Sequence, residues 1–146
     1  MKRFHVNLSV KDLEKSIDFY NALFAAAPTV RKEDYAKWML DDPFVNFSIS
    51  TKGDAAGIDH VGIQASDADE LAVIRDRLVK ADSPILDQEA VTCCYANSKK
   101  AWIRDPDGVA WETFHTTGQT TNYGDGTAPE RARTEDSIKP KSACCG

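Results

Sequence analysis

Alternation of apolar and polar residues opens the chain. Phe4, Val6, Leu8 and Val10 interleave with His5, Asn7 and Ser9, which is the period of a half-buried strand. The period then changes. Leu13, Ile17, Tyr20 and Phe24 fall at i, i+4, i+7 and i+11, one stripe of a helix whose N-cap is Asp12 and whose stop is Pro28. Ala36 to Leu40 and Val45 to Ser50 follow as two strands joined by Asp41-Asp42-Pro43. Fifty-five residues after the first strand the pattern returns. Ile58 to Gln64 reads as a strand with His60 matching His5, and Asp67 to Lys80 as a helix with Asp67 and Glu70 as a capping box and Leu71, Ile74 and Leu78 as its stripe. Ser83 to Tyr95 is looser. Lys100 to Arg104 is a strand, Asp105-Pro106-Asp107-Gly108 a turn, and Val109 to His115 the closing strand.

Each half is therefore β-α-β-β-β with its third strand weakly marked. Neither closes a core alone, and two side by side form one curved mixed sheet around a cleft. The expected fold is α+β, one domain over residues 1–115, with module 1 at about 3–52 and module 2 at about 57–115. Residues 116–146 hold only Tyr123 and Ile138 as large apolar side chains, with four acidic and four basic residues. Such a segment buries too little apolar surface to offset its ordering entropy. It reads as a largely disordered, flexible C-terminal tail ending in Cys144-Cys145.

Composition narrows the function classes. The 146 residues are 42% hydrophobic and 28% charged, a globular balance, with net charge −5 and a pI near 5.1. No basic face for nucleic acid is evident. No apolar run approaches the roughly 20 residues that span a bilayer, and the N-terminus carries no apolar signal region. The expectation is a soluble, cytoplasmic protein with reduced thiols, a small-molecule substrate, and no nucleic-acid or membrane partner.

The duplication directs attention to His5 and His60. Alternation turns each away from its apolar neighbours, and in a paired sheet they face one another across the cleft. A lone strand histidine is more often a satisfied polar residue than a ligand; two at equivalent positions shift that balance. Glu112, in Trp111-Glu112-Thr113-Phe114, is a carboxylate that is costly to bury unless it is paired or bound to a cation. Two histidines and one carboxylate leave positions open on non-haem Fe(II), and the same set suits catalytic zinc. Aligning Asp42-Pro43 with Asp105-Pro106 sets Ser48, a poor ligand, opposite Glu112. His115, the third histidine, is a lesser candidate at a strand end.

Cys93 and Cys94 are adjacent, which is not the spacing of a zinc site. Both can converge on one soft centre only if the backbone is irregular. Trivalent arsenic in an organoarsenical keeps one bond to carbon and two for thiolates. Two buried, hydrophobe-like cysteines are the plainer alternative. Cys144-Cys145 could capture a thiophilic metal or metalloid, or be an unimportant chain end. Asn46, Ser48 and Ser50 share one strand face and could line the cleft. Tyr95 and Lys99 stand near the cysteine pair as candidate catalytic residues.

The two His-Val strand starts and the Asp-Pro-Asp-Gly-x-x-x-Glu ending resemble the vicinal oxygen chelate superfamily, which includes glyoxalase I, bleomycin-resistance proteins and extradiol dioxygenases. Thr92-Cys93-Cys94-Tyr95-Ala96, Lys100-Ala101-Trp102-Ile103 and Pro106 to Glu112 resemble the organoarsenical carbon–arsenic lyases and the related cadmium-induced proteins. The resemblance covers roughly residues 3–115. It implies an Fe(II)- and O2-dependent dioxygenase that demethylates methylarsenite and cleaves trivalent aromatic arsenicals. It maps the metal onto His5, His60 and Glu112 and the arsenic onto Cys93 and Cys94. By analogy it implies a homodimer. The rivals are a non-catalytic thiol-based cadmium- or arsenic-binding stress protein and a glyoxalase-like enzyme acting on a small carbon substrate.

Overall fold

The computed structural model describes residues 1–81, 85–93 and 96–119. In chain order the elements are β1 (Arg3–Ser9), α1 (Leu13–Phe24), β2 (Val30–Arg31), β3 (Tyr35–Asp41), β4 (Phe44–Ser50), β5 (Gly57–Gln64), α2 (Ala68–Lys80), β6 (Leu86–Cys93), β7 (Ala96–Arg104) and β8 (Ala110–Gln119). The strands form a single curved sheet in the order β2-β3-β4-β1-β5-β8-β7-β6. β1 and β5 pair antiparallel at its centre and join the two halves. On either side the connection repeats: β1 is parallel to β4 and β5 is parallel to β8.

The register verifies the duplication residue by residue. Asn7 pairs with Ser48 and Gly62 pairs with Glu112. Asn7 and Gly62 are equivalent positions of the repeat, so Ser48 is the counterpart of Glu112.

Alternation sorts each strand into two faces. In module 1 the helix side carries Ala36, Trp38, Phe47 and Ile49, which close on Leu13 and Ile17 of α1 with Tyr20 and Phe24 packed around them. The aromatic rings pack at centroid distances of 4.6 Å for Tyr20–Phe47 and 5.1 Å for Phe24–Phe47. Each large apolar side chain buried this way contributes on the order of 1.5–3 kcal/mol. The opposite face of the same strands is polar: His5, Asn7 and Ser9 on β1, and Asn46, Ser48 and Ser50 on β4, all buried. That is the face expected to line the cleft.

Both helix starts follow their sequence signals. Asp12 Oδ1 accepts from the Lys15 N–H at 3.1 Å, and Asp67 Oδ1 accepts from the Glu70 N–H at 2.7 Å. Glu70 completes its box one residue early, accepting from the N–H of Ser66 rather than from that of Asp67. The ends differ from expectation. α1 stops at Phe24, before Pro28, with Ala25 left-handed and its N–H returned to Asn21 O. Trp38 Nε1 donates to the freed Ala26 carbonyl at 3.0 Å, so a tertiary bond overrides the helix propensity of Ala25, Ala26 and Ala27. The looser stretch before the cysteine pair is strand β6, an edge whose pairing breaks register between Gln88 and Val91; that break hides the period-2 pattern. β7 begins at Ala96, earlier than Lys100, and β8 runs four residues past His115 to Gln119. Residues 120–146, including Cys144 and Cys145, lie outside the described residues. Among the described residues no helix is long and apolar enough to cross a membrane.

Candidate metal centre

The three side chains singled out from sequence meet in the middle of the sheet. His5 enters from β1, His60 from β5 and Glu112 from β8, and they are 6%, 5% and 5% exposed. His5 Nε2 and His60 Nε2 are 3.2 Å apart. Glu112 Oε2 lies 3.6 Å from the first and 3.5 Å from the second. A cation at about 2.1 Å from three ligands holds them about 3.0 Å apart in octahedral and about 3.4 Å apart in tetrahedral geometry. The triangle, at 3.2–3.6 Å, begins inside that range and exceeds it by up to about 0.2 Å, within reach of a small inward movement of the side chains.

The outer ring nitrogens settle what the inner ones present. His5 Nδ1 faces the Asn46 carbonyl at 2.9 Å. A carbonyl only accepts, so Nδ1 carries the proton. His60 Nδ1 donates to Asp59 Oδ2 at 2.6 Å. Neutral rings in these tautomers turn two lone pairs and a carboxylate oxygen toward one point. Such a focus of negative density calls for a positive centre, and the donor set fits a divalent cation with open positions.

Without a cation, protons fill that role unequally. Burial lowers the His5 pKa from 6.5 to about 4, helped by His60 and opposed by Glu112. Burial also acts downward on His60, but its hydrogen bonds to Asp59 and Glu112 outweigh it and raise the pKa to about 9. Burial would raise the Glu112 pKa, yet Lys100 and the two histidines hold it well below the usual carboxylate range.

Three contributors had no sequence signal strong enough to single them out. Lys100, 5% exposed, places Nζ 2.6 Å from Glu112 Oε1 and leaves Oε2 toward the histidines. Of two adjacent lysines, Lys100 and not Lys99 enters the cluster. Lys99 is exposed and pairs with His115 on β7 and β8, because alternation sends neighbours to opposite faces. Gly62 lies beside Glu112 on the adjacent strand; a Cβ there would sit 2.1 Å from the Glu112 carbonyl oxygen, so only glycine permits this approach of β5 to β8. Asp59 is the third. Aromatic rings wall the cluster: Phe114 meets His5 edge-on at 5.1 Å and Trp102 meets His60 at 5.0 Å.

The remaining candidates stand apart. Asn46, Ser48 and Ser50 are buried on the cleft face. His115 lines a separate shallow pocket with Met1, Arg3 and Gln64. Cys93 ends β6 and pairs with Ala96. Its side chain lies outside the described residues, as do Cys94 and Tyr95.

Comparison with known proteins gives the family and the fold. Residues 2–113 match the family model described as the glyoxalase/bleomycin resistance protein/dioxygenase superfamily. A trivalent organoarsenical cleaving enzyme of Bacillus sp. (strain MD1) is 41% identical over 150 residues, covering 99% of this chain and 91% of that protein. The cadmium-induced protein CadI of Mycobacterium tuberculosis is 30% identical over 146 residues, covering 99% of this chain and 93% of that one. In fold, homoprotocatechuate 2,3-dioxygenase from Arthrobacter globiformis superposes with a TM-score of 0.60 at 16% identity, over 82% of this chain and 37% of the dioxygenase. The chain belongs to the glyoxalase/bleomycin resistance protein/dioxygenase superfamily, with relatives named as trivalent organoarsenical cleaving enzymes and cadmium-induced proteins.

Proposed function

We propose that this protein is an Fe(II)- and O2-dependent enzyme that cleaves the carbon–arsenic bond of trivalent organoarsenicals. Methylarsenite and trivalent aromatic arsenicals are its substrate class, and the products are inorganic arsenite, with arsenic still trivalent, and a carbon fragment oxidised by O2. The observation that carries this reading is the convergence of His5, His60 and Glu112 at 3.2–3.6 Å in a chain 41% identical to a protein named for that cleavage.

His5 and His60 would hold the metal through Nε2 and Glu112 through Oε2. Two imidazoles and one carboxylate are the donor set of non-haem Fe(II) oxygenases with open positions. Bound there, Fe(II) supplies the activation of O2. The protein's own residues do the rest. Lys100 occupies the second Glu112 oxygen, which keeps the carboxylate a one-oxygen ligand. Phe114 and Trp102 limit water around the histidines. Cys93 and Cys94 bind the arsenic as a dithiolate, leaving its bond to carbon intact and presented to the cleft. Tyr95 is a candidate for orienting substrate. Cytoplasmic residence, where thiols stay reduced, suits such a pair, and Cys144-Cys145 would capture the arsenical before transfer.

The test is arsenite release from methylarsenite by Fe(II)-loaded protein in air and under argon. We expect turnover in air only, and its loss in Cys93→Ser and Cys94→Ser variants that still load iron. Equal rates under argon would remove the dioxygenase chemistry. Stoichiometric arsenical binding with no product would leave a non-catalytic, thiol-based sequestering protein.

A further inference from the structure

Strand β5 departs from regular pairing at one place. Asn7 pairs with His60 and Leu8 with Ile58, which leaves Asp59 as the extra residue of a β-bulge. In a regular strand Asp59 and His60 would face opposite ways. The bulge cancels that alternation and brings Asp59 Oδ2 to 2.6 Å from His60 Nδ1.

Asp59 is itself held from the other module. Asn7 Nδ2 donates to Asp59 Oδ2 at 3.3 Å, and Ser48 Oγ donates to Asn7 Oδ1 at 2.7 Å. Ser48 is the counterpart of Glu112 in the repeat. The position that supplies a carboxylate in module 2 therefore supplies, in module 1, the start of a hydrogen-bond chain ending at a histidine of the cluster.

We infer that Asp59 is a positioning residue for the metal centre, anchored by Asn7 and Ser48, that fixes His60 with Nδ1 protonated and the Nε2 lone pair turned to the cation. The inference rests on the reading of His5, His60 and Glu112 as metal ligands. A histidine can bind through Nε2 only when its proton sits on Nδ1, and the partner of Nδ1 decides this. At His5 that partner is a backbone carbonyl, which no side-chain change removes. At His60 it is a side chain, so Asp59 is where the centre's geometry is open to mutation. Its role is to orient the ligand, without contact to substrate.

Zinc titration calorimetry on full-length wild type, Asp59→Ala, Asp59→Asn, Asn7→Ala and His60→Ala tests this. Asp59→Ala should weaken Zn(II) binding roughly 10- to 100-fold. Asp59→Asn, whose amide oxygen still accepts from Nδ1–H, should recover part of that loss and serves if the alanine variant does not fold. Asn7→Ala should fall between wild type and Asp59→Ala. In the zinc-loaded protein the slowly exchanging His60 Nδ1–H resonance should vanish in Asp59→Ala while that of His5 persists; a purely structural role for Asp59 would not separate the two. Wild-type affinity in both Asp59 variants, with binding lost in His60→Ala, overturns this inference alone. Wild-type affinity in His60→Ala overturns the metal reading and the role of Asp59 with it.

Discussion

The two modules share a topology and differ in what they bury. Module 1 encloses Trp38, Ile17, Ile49 and Phe47 between sheet and helix, and lines its cleft face with neutral polar side chains. Module 2 has no buried residue on α2, with Leu71, Ile74 and Leu78 only half covered. Its buried groups crowd the cleft instead: Glu112, Lys100, His60, Trp102 and Phe114. At the equivalent positions of the repeat, one half carries the Glu112 carboxylate and the other Ser48. Apolar stability is concentrated in one half and buried charge in the other, so the two halves should respond differently to substitution.

The largest effect should come from module 1's core. Trp38→Ala should cost about 3–5 kcal/mol in urea unfolding, through the cavity it leaves and the indole hydrogen bond to Ala26 it removes. The half-exposed Ile74→Ala on α2 should cost about 1 kcal/mol, since little area returns to water. Equal losses would break the contrast.

Lys100→Met should cost less in metal-free protein, about 1–3 kcal/mol, because Glu112 loses the Nζ partner of Oε1 but keeps the protonated His60 beside Oε2. A bound cation replaces the missing charge, so the deficit should shrink on zinc loading. A loss indifferent to zinc would separate Lys100 from the metal centre.

Gly62→Ala sharpens the contrast at a single repeat position, where module 1 carries Asn7. The new Cβ meets backbone, so β5 and β8 must part. We expect about 1–3 kcal/mol of destabilisation together with weaker zinc binding, read by thermal melting and calorimetry.

The smallest effect concerns protons. The His60 pKa, raised to about 9, means that the metal-free site holds a proton through neutral pH. That charge pairing stabilises the metal-free fold fully below the ordinary histidine pKa and is lost as pH rises through about 9. Zinc uptake at neutral pH must therefore expel about one proton, and the release should fade above pH about 9. Calorimetry in buffers of different ionisation enthalpy reads it directly.

Much of this was legible in the sequence because duplication is a long-range signal. Matching Asp42-Pro43 with Asp105-Pro106 sets Ser48 against Glu112, and alternation alone turns His5 away from the core. What stayed hidden was set by departures from regularity. Asp59 reads as facing away from His60 until a bulge reverses it. Lys100 reads as one of two surface lysines until pairing with Glu112 across the sheet buries it. β6 carries no period because its register slips midway. Gly62 is a glycine among many until the strand beside it is known.

The central claim is that one cation is held jointly by His5 and His60 of both modules and by Glu112. Anomalous diffraction at the iron edge from crystals grown with Fe(II) under argon tests it most directly. The account predicts a single strong peak within about 2.0–2.3 Å of both Nε2 atoms and Glu112 Oε2. A peak elsewhere, or none at full iron loading in solution, would contradict it.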